Sequence, residues 1–478
     1  MKRIPFISLL FSVIVIAGLQ SCIEDGFTSS SADQPEFSVD TQQMGVLFTD
    51  EVSPTHRFTV YNRADKGLSI SKISLSGDNA SLFRLNVDGF SGREFSNVEI
   101  RANDSIFVFV ETTLPANDRN VPVEVTASLD FLTNGVTRSG TVAAQGRDVN
   151  RLRAVTLNED CRLTADKPYQ IFDSIVVAPG ATLTIDPGTE LLFHDGASMI
   201  VRGTLKARGE TDREITFSGD RTGNVITDVS FDIMSRQWQG IFFTSTSRDN
   251  ELSYSCVRNT WQGVTVNGTD AADGEVTLLM VNSRLRNAGY RVFESYHADV
   301  RAYGCEFAEA GDGAVLLHGG KAVLNQCTLS NYYLFAAILG PLLTLSHVDA
   351  KSDDESGRPY LQADITNTIL YGLGTDMSHG DLTGTAVTLR RCLLKSDGKD
   401  DANFINCLWG EDPLFRTVRD DYYFDYRVMD GSPAIGAAAP ELVAAESATD
   451  RLGTPRGAEP TLGAYQYVLE SELEPVRQ

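Results

Sequence analysis

The 478-residue chain is long enough for two or more domains, and its 42% hydrophobic content is sufficient for a globular core. The formal net charge of −23 repels phosphate backbones, so nucleic acid is not an expected partner. A solvated acidic surface is common among proteins, so the charge alone does not define a function.

The N-terminus has the pattern of an export signal. A basic dipeptide and an apolar run that ends at Leu19 precede Ser21 and Cys22. The segment ending at Cys22 resembles a lipobox, the bacterial site at which a cysteine is acylated and becomes the new N-terminus. The resemblance implies a signal peptide over residues 1–21 and a palmitate-type lipid on Cys22. An ordinary cleaved signal is the alternative.

The residues that follow Cys22 indicate where the protein is displayed. Glu24 and Asp25 resemble the short acidic signal that directs lipoproteins of the Bacteroidota to the outer face of the outer membrane, although a solvated tether would also contain such acids. No later apolar stretch approaches the ~20 residues needed for a membrane span. We therefore expect a lipid-anchored, surface-exposed protein of the cell outer membrane, with a flexible lipidated tether over residues 22–35.

Residues 36–148 show strand alternation interrupted by loops that contain Asn, Asp and Gly. About seven short strands over this length favour a β-sandwich. The segment from Phe58 to Leu75, FTVYNRADKGLSISKISL, resembles immunoglobulin-like modules of the hydin group. The resemblance implies a spacer domain.

Residues 175–217 contain two rows of mostly apolar residues, each with a step of eight and separated by one position. Such a step predicts short strands with one face inward, each followed by a turn, and three units make a coil of about 24 residues. The pattern predicts a solenoid of parallel strands. The rows are Ile175, Leu183, Leu191, Met199, Ala207 and Ile215, and Val177, Ile185, Phe193, Val201, Gly209 and Phe217, with corners at Gly180, Gly188 and Gly196.

This stretch resembles the opening coils of bacterial right-handed parallel β-helix proteins of the pectate-lyase-like type. The resemblance implies an all-β fold, with a right-handed parallel β-helix over residues 150–467 preceded by the immunoglobulin-like sandwich. That family includes pectin-active enzymes, adhesins and proteins without known activity, so it does not define chemistry. The likeness is carried by Leu183, Ile185, Pro187, Gly188, Phe193, Gly203, Leu205, Ala207, Gly209, Ile215 and Phe217.

A second register, with intervals of 19 to 24 residues, predicts a bend at which equivalent side chains stack on successive rungs. Stacked cysteines would lie at the strand spacing of ~4.8 Å, whereas a disulfide needs Cβ atoms ~3.8 Å apart. We therefore favour small buried thiols over disulfide bridges. The register is Ser283, Cys305, Cys327, Ser346, Thr368 and Cys392, and the remaining cysteines of the helical region are Cys161, Cys256 and Cys407.

Charged and aromatic residues are concentrated between residues 284 and 318. β-Helix enzymes that act on acidic polysaccharides use clustered carboxylates and a basic side chain in a groove, and aromatic rings can stack on sugars. Outward positions of any solenoid are also polar and pair between rungs, which is the simpler explanation. The catalytic candidates are Arg291, Glu294, Asp299, Arg301 and Glu306. The ligand-binding candidates are Trp238, Trp261, Tyr290, Tyr296 and Tyr303.

Two longer insertions interrupt the repeat and are expected to project as loops: Lys351 to Arg358 and Gly372 to Gly384. A further acidic segment runs from Ser396 to Ala402. The first insertion contains consecutive acids that would suit calcium, but their order matches no EF-hand loop and solvated acid is preferred. The cysteine spacings match no zinc pattern. We therefore expect no cofactor or metal, with calcium as the alternative.

The C-terminal part, from about residue 410, resembles the closing segment of many secreted bacterial β-helix proteins. The likeness rests on Asp412 to Phe415, Gly431 to Ala437 and Leu462 to Tyr465. Proline and glycine stop strand propagation, so we expect a cap over the last rung, in which Phe415 and Tyr426 cover the exposed core. Residues 468–478 form a tail.

Together these patterns predict an exported outer-membrane lipoprotein that recognises a glycan or an envelope protein without catalysis, or serves as a scaffold. The alternative is a polysaccharide lyase or glycoside hydrolase acting in a β-helix groove. The two differ in whether the charged candidates converge in one groove.

Overall fold

The computed structural model describes residues 26–119, 121–226, 229–268, 275–346, 361–383, 385–469 and 471. The chain divides into two compact units, one ending at Asp148 and the other starting at Val149. The predicted lipidation site, Cys22, lies outside the described residues, as does the predicted loop from Lys351 to Arg358. No helix in the described ranges is long and apolar enough to cross a membrane.

The first unit is a β-sandwich of two five-stranded sheets, and its core contains Phe58, Phe83 and Phe131. The strand pairs are antiparallel except for one parallel pair in the second sheet. One sheet has the order Glu36–Phe37, His56–Tyr61, Ser105–Thr112, Phe83–Val87 and Phe90–Gly92. The other has the order Thr41–Phe48, Val136–Arg147, Val123–Thr133, Leu68–Ser76 and Glu94–Ile100. A single 3-10 turn, Ala80–Leu82, precedes one strand.

The second unit is a parallel β-helix, which confirms the expected fold. Its strands form three faces, A, B and C, that follow one another in the chain. Face A is Cys161–Leu163, Thr182–Ile185, Thr204–Arg208, Asn250–Ser253, Leu278–Val281, Asp299–Tyr303, Lys321–Asn325, Gln362–Thr366, Ala386–Arg390 and Phe404–Ile405.

Faces B and C begin with two shared strands, Asn150–Leu157 and Tyr169–Val177. Face B continues with Glu190–Phe193, Ile215–Gly219, Ser255–Arg258, Arg284–Ala288, Glu306–Ala310, Thr328–Ser330, Ile369–Leu370, Leu393–Leu394 and Leu408–Trp409. Face C continues with Ser198–Val201, Gly240–Phe243, Val264–Asn267, Phe293–Tyr296, Val315–His318, Leu343–Ser346 and Met377–Ser378.

The eight-residue step sets which side chains point inward. Every residue of the first row, from Ile175 to Ile215, is buried in one continuous core, as are all residues of the second row except Gly209. Gly180, Gly188 and Gly196 adopt positive φ angles of 77° to 82°, a conformation that favours glycine, and they turn the chain between strands.

The corner between faces A and B repeats one backbone device. From the strand Asn250–Ser253 onward, a single left-handed residue follows each strand of face A, and the next residue points into the corner. The left-handed residues include Asn282, Gly304, Gln326, Asn367, Arg391 and Asn406, and they are followed by Ser283, Cys305, Cys327, Thr368, Cys392 and Cys407. Cys407 therefore extends the predicted register.

Ser346 was wrongly placed in this register. It lies on face C, where it pairs with His318 and its hydroxyl is 2.8 Å from Nδ1 of that histidine. The true successor of Cys327 is Thr368, because the strands that follow these two residues, Thr328–Ser330 and Ile369–Leu370, pair with each other on face B. All six described cysteines are free thiols.

The C-terminal segment does not cover the last rung as expected. It runs back along the outside of face B, where Phe415 and Tyr426 pack with Ala308, Ile369 and Leu393. The reason is that the outward positions of face B are themselves apolar in these rungs. The segment contains the hairpin Phe415–Val418 and Phe424–Val428 and the 3-10 turns Asp420–Tyr422, Pro440–Leu442 and Ala445–Ser447.

The last rung is covered by local residues instead. Phe404 and Trp409 pack against the end of the core with their ring centroids 5.1 Å apart. Asp400, in the acidic segment from Ser396 to Ala402, accepts the indole N–H of Trp409 at 3.2 Å and the backbone N–H of Asn406 at 2.6 Å. The acids of this loop therefore organise a turn at the end of the solenoid.

Candidate functional site

The five charged candidates lie on three different faces of the helix. Glu294 is on face C, and Arg291 immediately precedes the same strand. Asp299 and Arg301 belong to face A, and Glu306 belongs to face B. The candidates therefore do not converge in a single groove.

Glu306 is buried beneath the C-terminal segment. Its Oε2 accepts a hydrogen bond of 2.5 Å from the hydroxyl of Tyr465. The neighbouring Glu309 is also buried and accepts hydrogen bonds from Tyr426 and, at 3.2 Å, from Arg286. These carboxyl groups hold the segment on face B and are closed to a polysaccharide.

Asp299 and Arg301 form a pair within one strand of face A. Nε of Arg301 donates to Asp299 at 3.2 Å and Nη2 donates at 3.3 Å. The hydrogen bond to Asp299 raises the pKa of Arg301. The pair lies within one rung, whereas pairing between adjacent rungs was expected for outward residues.

Arg291 is held between two carboxylates. Its Nη1 lies 3.2 Å from Glu294 and its Nη2 lies 2.8 Å from Asp312. Burial raises the pKa of Glu294, whereas Arg291 acts in the opposite direction. Tyr296 donates to Glu294 at 3.3 Å, and burial with the adjacent carboxylate raises the pKa of Tyr296 to about 12. A guanidinium already engaged by two acids is poorly suited to serve as a base.

The aromatic candidates divide into buried and exposed groups. Trp238 belongs to the core: it stacks on Phe193 with ring centroids 4.0 Å apart, and its indole N–H donates to the carbonyl of Arg258 at 2.8 Å. Tyr303 lies on face A. Trp261 and Tyr290 are each 40% exposed and remain available to a ligand.

Trp261 and Tyr290 stand on successive turns between faces B and C, and we call them, with the adjoining Arg236 and Arg291, the aromatic ridge. The backbone N–H of Tyr290 donates to the carbonyl of Trp261 at 2.8 Å, which fixes the two residues one rung apart. Arg236 lies over the Trp261 ring at 4.6 Å and Arg291 over the Tyr290 ring at 4.9 Å. These cation–π contacts hold the rings in place.

Arg236 was missed by sequence reasoning. It lies after the strand pair Asn224–Ile226 and Val229–Ser230 and the 3-10 turn Phe231–Ile233, in an insertion that hides its place in the repeat. Its backbone N–H donates to the carbonyl of Thr260 at 2.9 Å. No spacing in the sequence marked it, because even Trp261 and Tyr290 follow their face B strands at different intervals, three and two residues.

In the part of the chain that the structure describes, no group of three or more His, Cys, Asp or Glu side chains is arranged to hold a metal ion.

No protein-family model matches the chain, and no curated protein matches it. Among solved structures, an α-1,3-glucanase catalytic unit of family GH87 from Streptomyces thermodiastaticus is similar over 73% of this chain and 74% of its own, with 10% identity and a TM-score of 0.29. Dex49A from Penicillium minioluteum is similar over 74% of each chain, with 8% identity and a TM-score of 0.20.

A protein of unknown function from Porphyromonas gingivalis W83 is similar over 24% of this chain, with 14% identity and a TM-score of 0.18. The aligned part spans less than half, 46%, of that structure's own length. Likenesses at these scores carry no argument for function, and the architecture rests on the strand pairing described above.

Proposed function

We propose that this protein is a non-catalytic glycan-binding lipoprotein of the bacterial outer membrane, anchored through Cys22 and of the Bacteroidota type. The observation that supports binding is the aromatic ridge, where Trp261 and Tyr290 present partly exposed rings on adjacent rungs. The apolar face of a sugar ring packs on such rings, and a spacing of about one strand suits successive contacts along one chain.

The scattered charges support binding without cleavage. Hydrolysis of a glycosidic bond commonly requires two carboxyl groups that flank the bond. On the ridge, Glu294 and Asp312 both bind Arg291, and the other candidates lie on other faces. The ligand we propose for the ridge is therefore a neutral glycan, because the carboxylates of Glu294 and Asp312 equal in number the two arginines of the ridge.

The test is retention of the purified protein on a panel of neutral and acidic polysaccharides, with simultaneous measurement of new reducing or unsaturated ends. We expect retention without new ends, and loss of retention in the double variant Trp261→Ala, Tyr290→Ala. The matched control is Phe90→Ala, which removes an exposed ring of the first unit. New ends that vanish in Arg291→Ala would establish the enzyme alternative, and retention unaffected by the double variant would contradict the ridge as the site.

A further inference from the structure

A separate cleft lies on the outer surface of face B, at the edge of the C-terminal segment. It encloses about 350 Å³. Its floor includes Thr216, Cys256, Arg258, Arg284 and Arg286 from three successive strands. Its walls are Asp232 and Ile233 on one side and Tyr422 to Phe424 on the other. The volume is within the range of small-molecule sites.

Two of the three arginines of the floor are stacked by the strand register. Arg286 pairs with Arg258 on the preceding rung, and Arg284 pairs with Cys256. The strand spacing of ~4.8 Å brings like charges close together, which is unfavourable unless anions offset them. Such an arrangement therefore requires negative partners.

The carboxylates around the cleft are shared among several arginines. Glu214 accepts from Arg284 at 2.9 Å and also from Arg451. Arg258 lies 3.2 Å from Asp232, which is mostly exposed. Burial raises the pKa of Glu309, the partner of Arg286, to about 7, so this group is only partly ionised at neutral pH. Glu306 also lies 4.0 Å from Arg286, so four arginines, with Arg451 included, share four carboxyl groups around the cleft, in a chain whose net charge is −23.

The arginines also retain donors that nothing in the described chain accepts. The Nε atoms of Arg258, Arg284 and Arg286 are buried and have no hydrogen-bond partner among the described residues. Buried polar atoms are normally paired, and because Arg291, Arg390 and Arg451 also have unpaired Nε atoms, it is the grouping of three such arginines on one floor that points to an anion. An anion bound by the guanidinium groups would accept charge-assisted hydrogen bonds and offset the repulsion among the three arginines.

We infer that this cleft binds the carboxylate of a sugar-sized organic acid. Arginine presents a planar fork that matches a carboxylate, and a bound carboxylate would lie against the floor. Tyr422 and Tyr423, which are 41% and 38% exposed, stand at the wall where the body of the ligand would pack. The cleft is distinct from the aromatic ridge, and this inference does not depend on glycan binding there.

Calorimetric titration of the purified protein with glucuronate, succinate and glucose tests this inference. Glucuronate combines a carboxylate with a sugar ring, succinate has carboxylates only and glucose has the ring only. We expect glucuronate to bind and glucose not to bind. Tighter binding of glucuronate than of succinate would identify a sugar acid as the source of the bound carboxylate. Equal affinity for the two would identify free organic acids as that source. Binding of glucose as tight as that of glucuronate, or no binding of either acid, would overturn the inference.

The variant Arg258→Gln should weaken glucuronate binding at least tenfold. Its partner Asp232 is exposed, so the substitution leaves no buried charge without a counterion. Arg208→Gln is the matched control, because Arg208 pairs with Glu251 at 2.6 Å on face A. Trp261→Ala should leave glucuronate binding unchanged, which separates this cleft from the ridge. Equal affinity of Arg258→Gln and the unaltered protein, with unchanged thermal unfolding, would contradict the site.

Discussion

The outer surfaces of faces B and C carry the same kind of side chains in opposite settings. On face B, Arg286 pairs with Glu309 at 3.2 Å beneath the C-terminal segment, and Tyr426 donates to the same carboxyl group. On face C, Arg291 pairs with Glu294 at 3.2 Å, and Tyr296 donates to that carboxyl group. The first set attaches one part of the chain to another, whereas the second borders an open surface.

This difference shows that outward charge on a solenoid does not by itself identify a functional site. An arginine, a glutamate and a tyrosine in contact serve as structural links where another segment covers them. The same three residue types can support a ligand surface where nothing covers them in the described chain. What separates the two is the position of the C-terminal segment, and substitutions in each set should therefore have unequal effects.

The largest expected difference is between Tyr426→Ala and Tyr296→Ala. Tyr426 is buried, packs against Phe415 with ring centroids 5.0 Å apart and donates to Glu309. Its loss should lower the free energy of unfolding of the helical unit by about 3–5 kcal/mol, because a cavity and an unpaired carboxyl group remain. Tyr296 is only partly buried, and its loss should cost about 1 kcal/mol.

Chemical denaturation followed by intrinsic fluorescence measures both values. Phe90→Ala in the first unit controls for the loss of an exposed ring. Equal destabilisation by the two tyrosine variants would mean that the C-terminal segment does not stabilise face B.

The next effect is the pH dependence conferred by Glu309. Burial raises its pKa from 4.5 to about 7 in the folded protein. The folded state therefore holds a proton that the unfolded state releases between these values. The stability is full below pH 4.5 and falls as the pH rises towards 7, by about 3 kcal/mol from this group.

Glu309→Gln should remove this contribution, because glutamine carries no titrating proton. Denaturation of the variant and the unaltered protein across pH 4 to 8 measures the difference between them. Glu294→Gln on face C is the matched control, and a smaller effect is expected because that carboxyl group borders the open surface. If the free energies of unfolding of Glu309→Gln and of the unaltered protein differ by a constant amount from pH 4 to 8, titration of Glu309 does not contribute to stability.

The inward rows of the helix could be predicted because they depend only on neighbours in sequence. A strand alternates sides, a short turn follows, and the step of eight repeats from Ile175 to Ile215, so the core follows directly. The register at the corner was harder to find. The rung between Cys327 and Thr368 has long connections on both sides of its face C strand, and Ser346 on that strand imitates the expected interval.

The candidate site could be predicted only in part, because one rung passes through all three faces within about 22 residues. Arg291, Asp299 and Glu306 are close in sequence and yet belong to different sides of the solenoid. The face on which each of them lies depends on where the strands begin and end, and the charged residues themselves do not indicate those boundaries. The position of the C-terminal segment depends on contacts across more than a hundred residues, such as Tyr426 with Glu309, and local patterns do not encode these.

The smallest expected effect is that of Arg301→Gln on face A. Arg301 and Asp299 lie in one strand with the arginine side chain 38% exposed, so water replaces much of their attraction when the pair is broken. The free energy of unfolding should change by less than about 1 kcal/mol. Arg286→Gln, in contrast, removes the partner of a buried carboxyl group and should cost several times more, since breaking such a pair leaves a charge without its counterion.

Arg301→Gln should also leave retention on neutral glycans unchanged, because face A does not include the aromatic ridge. A strong loss of retention would mean that the glycan surface extends around the solenoid to face A, and the distinction between faces would then fail for binding even if it held for stability.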